Sequence, residues 1–141
     1  MPYRDRIEVS FEAGHRLLHY QGKCASPHGH SFRAEVILEG DALDELGLLV
    51  DFGDAKHAIR EWVETHWDHG FLVSSDDEAL LGALCSIPEA KVYRFDAENP
   101  STETMARKLH DVASDAFPRQ RVTVRIWEST AQYAEYSGET R

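Results

Sequence analysis

The sequence predicts an α+β fold built around an antiparallel sheet. Two observations carry this expectation. Strict apolar/polar alternation marks paired strands near both ends of the chain, and two segments of helical spacing lie between them. The resulting order, strand, strand, helix, helix, strand, strand, is a run of each kind rather than a βαβ alternation. A four-stranded antiparallel sheet with both helices on one face satisfies that order.

Taken in order, Arg6 to Ala13 alternates with Ile7, Val9, Phe11 and Ala13 on one face and charged or polar residues on the other. Phe32 to Gly40 repeats the pattern with Phe32, Ala34, Val36 and Leu38 inward, closed by Gly40-Asp41. Asp54 is placed to cap a first helix, whose apolar positions are Ala55, Ile59, Trp62 and Val63. A long connection from Val73 to Glu98 follows, with a short helical turn at Asp77 to Cys85 and a short strand at Lys91 to Phe95. Asn99-Pro100-Ser101-Thr102 starts the second helix, which carries Met105, Leu109, Val112, Ala113 and Ala116 on one side and ends near Phe117-Pro118. Arg121 to Glu128 is the third main strand, with Val122, Val124 and Ile126 inward, and Gln132 to Tyr136 is a short fourth.

The 141 residues fit one domain spanning 1–141. A formal charge of −10 supplies no basic stripe for a phosphate backbone, so nucleic acid is not an expected partner. No apolar run approaches the ~20 residues needed to span a bilayer, and the first residues do not read as a signal peptide. Two cysteines, Cys24 and Cys85, make no disulfide framework, which points to a reducing cytoplasm.

His28-Gly29-His30 is the strongest chemical signal. Extending the second strand back through its even positions puts both imidazoles on the core side. The odd parity of the first strand carries His15 to the same side. Three imidazoles converging at one sheet end suit Zn²⁺ with a fourth position open, the catalytic arrangement. The alternative is an incidental His-x-His pair satisfied by backbone carbonyls. Cys24 lies four residues before His28, in a polar loop beside Lys23; it is either an activated thiol or a small buried residue. Cys85, in a short apolar turn, reads as the buried kind.

Asp68-His69 follows the first helix and is either a proton relay or a helix end with a surface histidine. His19, His57, His66 and His110 read as surface or structural. Glu128 continues the inward parity of the third strand, and a carboxylate sent toward a core needs a partner. That partner is an internal arginine, or a ligand offering two adjacent N–H donors, such as the 2-amino-4-oxo edge of a pterin or guanine.

The ensemble of Phe11-Glu12-Ala13-Gly14-His15, Gly22-Lys23-Cys24, His28-Gly29-His30, Val50-Asp51-Phe52, Asp68-His69, Asn99-Pro100-Ser101-Thr102-Glu103 and Trp127-Glu128 resembles the 6-pyruvoyltetrahydropterin synthase / 6-carboxytetrahydropterin synthase family. The match runs in order from Phe11 to about Tyr136. The resemblance implies the tunnelling fold, in which subunits join around a barrel, commonly as a homohexamer with active sites between subunits. It implies His15, His28 and His30 as zinc ligands, Cys24 as catalytic base, Asp68 and His69 as relay partners and Glu128 as pterin anchor. Ser101, Thr102 and Glu103 are implied as supporting pocket residues, and Lys23 is a candidate phosphate contact. Three residues between Cys24 and His28 match the bacterial carboxy type, which acts on 7,8-dihydroneopterin triphosphate in queuosine biosynthesis. The pyruvoyl-forming reaction uses the same residues and is the nearest rival. A cupin-type metal barrel is approached by Gly22, His28, His30 and Glu35, but its second motif is missing and two helices fit it poorly. A non-catalytic zinc or pterin-binding protein is a third reading; it would not need Cys24.

Overall fold

The computed structural model describes residues 1–138. Its elements are β1 (Tyr3–His15), β2 (His28–Gly40), α1 (Phe52–His66), β3 (Gly70–Ser74), α2 (Glu78–Cys85), β4 (Val92–Phe95), α3 (Thr102–Ala116), β5 (Arg121–Trp127) and β6 (Tyr133–Tyr136). The α+β class holds, but the sheet has six strands, in the order β4-β3-β1-β2-β5-β6, where four were expected. It is also mixed: β1, β2, β5 and β6 pair antiparallel, while β3 pairs parallel with both β1 and β4.

The unforeseen strand is β3, and burial on both faces explains why. Leu72, Val73 and Ser74 are all buried, so the segment reads as a short apolar run without alternation. Val73, taken as the start of a loop, is thus inside the sheet. Gly14 is paired with Phe71 there, and a Cβ at position 14 would lie 2.6 Å from the Phe71 ring. The missing side chain lets that ring stand against β1.

Two helices cover one face, as expected. The core is Ile7, Val9 and Phe11 of β1, Phe32, Val36 and Leu38 of β2, and Val122, Val124 and Ile126 of β5, sealed by Ile59 and Val63 of α1 and Met105 and Leu109 of α3. The cap of α1 is Asp51 rather than Asp54: the Asp51 carboxylate accepts the Asp54 N–H at 2.9 Å, which starts the helix one turn earlier. In α3, Ala116 is exposed because the helix ends there, and Ala106 and His110 join the buried face instead. Cys85 is exposed at the end of α2, not buried. The opposite face of the sheet is charged. Glu35 is buried there and accepts from Arg6 Nε and Trp127 Nε1.

One pair ties the α2 region to β1. Asp77 is 2% exposed, caps α2, and accepts from Arg16 Nε at 2.6 Å and Nη2 at 2.5 Å. These bonds hold the Asp77 carboxyl below its ordinary range against the opposing effect of burial. A depressed folded-state carboxyl stabilises the fold above the unfolded pKa and ceases to do so as pH falls through the folded one. Asp77→Asn is therefore expected to cost about 2–4 kcal/mol at neutral pH, by leaving Arg16 unpaired. In denaturant titrations the gap to wild type should narrow as pH falls below about 4, where the Asp77 carboxyl of the unfolded wild-type chain begins to protonate while the folded one is still ionised. A gap that stays constant with pH would contradict this.

Candidate active site

The β1–β2 register builds the centre of the site. His15 stands opposite His28 and Ala13 opposite His30, so odd residues of β1 and even residues of β2 share a face. The three rings pack with centroids 4.8, 5.3 and 4.9 Å apart. Phe32 forms the floor beneath His15 and His30.

Hydrogen bonding fixes which nitrogens face inward. His15 Nδ1 lies 2.7 Å from the Pro100 carbonyl, and His28 Nδ1 lies 2.7 Å from the Ser26 carbonyl. A carbonyl only accepts, so each Nδ1 carries the proton and each Nε2 keeps its lone pair free. Burial pushes the His15 pKa down, more than the Pro100 bond raises it. Burial also lowers that of His30, partly offset by Glu128. Neutral imidazoles at pH 7 are what a metal requires. One donor atom from each ring lies within 4.8 Å of the others, a set able to hold one metal ion.

Asp68 and His69 form a second cluster. Asp68 Oδ2 is 3.0 Å from His69 Nδ1, and Asp68 Oδ1 accepts the Glu12 N–H at 2.9 Å. The His69 N–H donates to the Glu12 carbonyl at 2.6 Å, and His69 takes a left-handed backbone, φ 59. Burial raises the Asp68 carboxyl, but the bonds from Glu12 and His69 outweigh it and leave it lowered overall. It stays ionised and orients an exposed imidazole. His28, His30, His69 and Phe71 line one cavity of about 690 Å³.

Glu128 lies just beyond β5, half-buried beside His30 rather than in the core. Its Oε2 is 3.9 Å from His30 Nε2, and its Oε1 accepts from Gln132 at 3.1 Å. No internal arginine pairs with it among the described residues. The strand ends at Trp127, so the inward parity points Glu128 past the packed core. With Thr102 and Glu103 it lines a second cleft of about 420 Å³. Ser101 instead caps α3, its Oγ accepting the Thr104 N–H at 3.2 Å. Cys24 is half-buried in a single turn, Lys23–Ala25, close in sequence to the ligand strand, and Lys23 is exposed beside it.

Some contributors carry no side-chain signal. Glu12 reads as an outward polar strand residue, yet its backbone clamps the Asp68-His69 turn through both N–H and carbonyl. Lys91 supports that turn from below by donating to the Asp68 carbonyl at 2.6 Å.

A family profile described as 6-pyruvoyl tetrahydropterin synthase matches residues 6–139. The chain belongs to that family. A 6-carboxy-5,6,7,8-tetrahydropterin synthase of Rickettsia bellii is 34% identical over 79% of this chain and 78% of its own. A probable 6-carboxy-5,6,7,8-tetrahydropterin synthase of Halobacterium salinarum is 34% identical over 86% of this chain and 78% of its own. Among solved structures, the 6-pyruvoyl tetrahydropterin synthase of Caenorhabditis elegans has a TM-score of 0.70 at 19% identity, covering 97% of this chain and 96% of its own. An uncharacterized protein from Wolinella succinogenes reaches 0.78 at 21% identity, covering 97% and 98%. These likenesses bear out the tunnelling fold of the pterin synthase family. No helix among the described residues is long and apolar enough to cross a membrane.

Proposed function

We propose that this chain is a zinc-dependent 6-carboxy-5,6,7,8-tetrahydropterin synthase. In this reading it converts 7,8-dihydroneopterin triphosphate and water to 6-carboxytetrahydropterin, acetaldehyde and triphosphate, in the cytoplasmic queuosine pathway. The observation that carries the reading is the three-imidazole cluster, two of whose rings, His28 and His30, line a cavity that His69, paired with ionised Asp68, also lines. The names of the curated relatives and the Cys24–His28 gap favour the carboxy product over the pyruvoyl one.

His15, His28 and His30 would hold Zn²⁺, since three imidazoles leave a fourth position open. Bound there, zinc would supply Lewis acidity toward the hydroxyls of the substrate side chain. Cys24 acts as the base that takes a proton from a side-chain carbon. His69, oriented by Asp68, delivers a proton back to the substrate side chain; each such transfer is worth about 10²–10⁴-fold. Thr102 and Glu103 border the ring pocket, and Lys23 meets the phosphates. Ser101 acts through the α3 cap rather than by touching substrate. The short edge strands β4 and β6 suit pairing with further copies, and the proposed assembly is a hexamer with sites between subunits.

Glu128 anchors the pterin by accepting from its 2-amino group and ring N–H. Glu128→Gln turns one of those acceptors into a donor facing a donor. Titration with a non-reactive pterin should show at least ~10-fold weaker binding. The melting temperature should hold, because among the described residues the half-buried carboxylate has one hydrogen bond, from Gln132, and one ion-pair contact, His30 at 3.9 Å. Unchanged affinity with a marked fall in stability would make Glu128 a structural residue. Release of free triphosphate from dihydroneopterin triphosphate, followed by phosphorus NMR, tests the lyase class itself. Intact substrate, or stepwise loss of single phosphates, would refute it.

A further inference from the structure

The loop between β1 and β2, residues 16–27, carries Cys24 and is mostly exposed. Its own bonds are few: Leu17 N–H to the Cys24 carbonyl at 2.8 Å, Tyr20 N–H to the Leu17 carbonyl at 3.4 Å, and the short turn around Lys23–Ala25; the Arg16–Asp77 pair holds only its first residue. A loop so sparsely bonded would open readily by itself. A base on it is useful only if something outside the loop fixes it.

Asn99 supplies that tether. Its Oδ1 accepts the Leu18 N–H at 2.8 Å, and its Nδ2 donates to the Leu18 carbonyl at 3.1 Å. One side-chain amide thus satisfies both backbone groups of one loop residue, as a neighbouring strand would. Leu18 adjoins Leu17, whose N–H holds the Cys24 carbonyl, so the tether reaches the thiol-bearing turn through one residue. Asn99 is itself fixed, because Thr104 Oγ1 donates to its carbonyl at 2.6 Å. The next residue, Pro100, presents the carbonyl that orients His15. The amide is the right group: it is planar, with one acceptor and one donor at one end. Aspartate lacks the donor and alanine lacks both.

We infer that Asn99 is a positioning residue that holds the Cys24 loop in register with the histidine cluster. The Asn99-Pro100 junction then sets the base and one metal ligand from a single rigid point at the start of α3. The inference rests on the proposed role of Cys24 as base.

The test uses the zinc-loaded full chain carrying Cys85→Ser, so that Cys24 is the only thiol. In Asn99→Ala and Asn99→Asp, kcat for triphosphate release should fall about 10–100-fold with KM little changed, the scale of a misplaced reacting group. Alkylation of Cys24 by iodoacetamide should accelerate roughly 10-fold, the weight of lost hydrogen bonds on a local opening. Zinc content should stay at the parent level, because the Pro100 carbonyl remains. In the parent protein the Leu18 amide should exchange slowly with deuterium, a readout that needs no variant to fold. Parent-like alkylation and kcat in both variants would overturn the inference. So would loss of activity only in proportion to lost zinc, or unprotected exchange at Leu18. If Cys24→Ala instead keeps full turnover, the assignment of the base fails, while alkylation and exchange still decide whether Asn99 holds the loop.

Discussion

Replacing Cys24 by alanine is expected to reduce turnover of 7,8-dihydroneopterin triphosphate by at least ~10³-fold, within the range of a lost general base. Metal content and melting temperature should stay at wild-type values. The thiol sits on a half-buried exposed-loop turn and contributes no nitrogen to the histidine cluster. A small side chain removed from such a turn leaves little cavity, so stability should move by less than about 1 kcal/mol. Metal analysis, a melt and a product assay on one preparation separate the outcomes. Substantial residual turnover would shift the base to His69, the cavity-lining imidazole that Asp68 orients.

His28→Ala has a larger reach, because it removes a ligand rather than a base. Bound zinc should fall from about one per chain toward none, and activity should go with it. The fold should persist, since His28 is half-buried and its Nδ1 bonds only locally, to the neighbouring Ser26 carbonyl. Acidification of the wild type should act in the same direction. Protons compete with the metal for each imidazole. Burial holds His15 and His30 below the ordinary histidine range, so their affinity for metal should survive until the pH drops beneath that range. Full zinc content in His28→Ala would refute the three-histidine site.

The parts of this fold legible in the sequence are those governed by a local period. Strand parity brought His15, His28 and His30 to one face, because a hairpin register pairs odd residues of β1 with even residues of β2. The same rule failed at Glu128, where the strand ends at Trp127 and parity no longer means core. It was silent for β3, whose two buried faces leave no alternation, and β3 is what brings Phe71 to the cavity wall. Apolar spacing found α1 and α3 but not their limits, since Asp51 and Asp54 are both capping residues and the backbone decides between them. Contacts made by main chain to side chain were the least legible. The Pro100 carbonyl on His15 and the Glu12 backbone on Asp68 depend on residues 85 and 56 positions apart, and no residue type announces them.

The identity of the carbon products tests the central claim most directly. Zinc-loaded protein is incubated with 7,8-dihydroneopterin triphosphate, pterins are identified by mass spectrometry, and acetaldehyde is trapped as its hydrazone. The account predicts 6-carboxytetrahydropterin, acetaldehyde and triphosphate in equal amounts. A product that keeps its three-carbon side chain as 6-pyruvoyltetrahydropterin, with no acetaldehyde trapped, would contradict it.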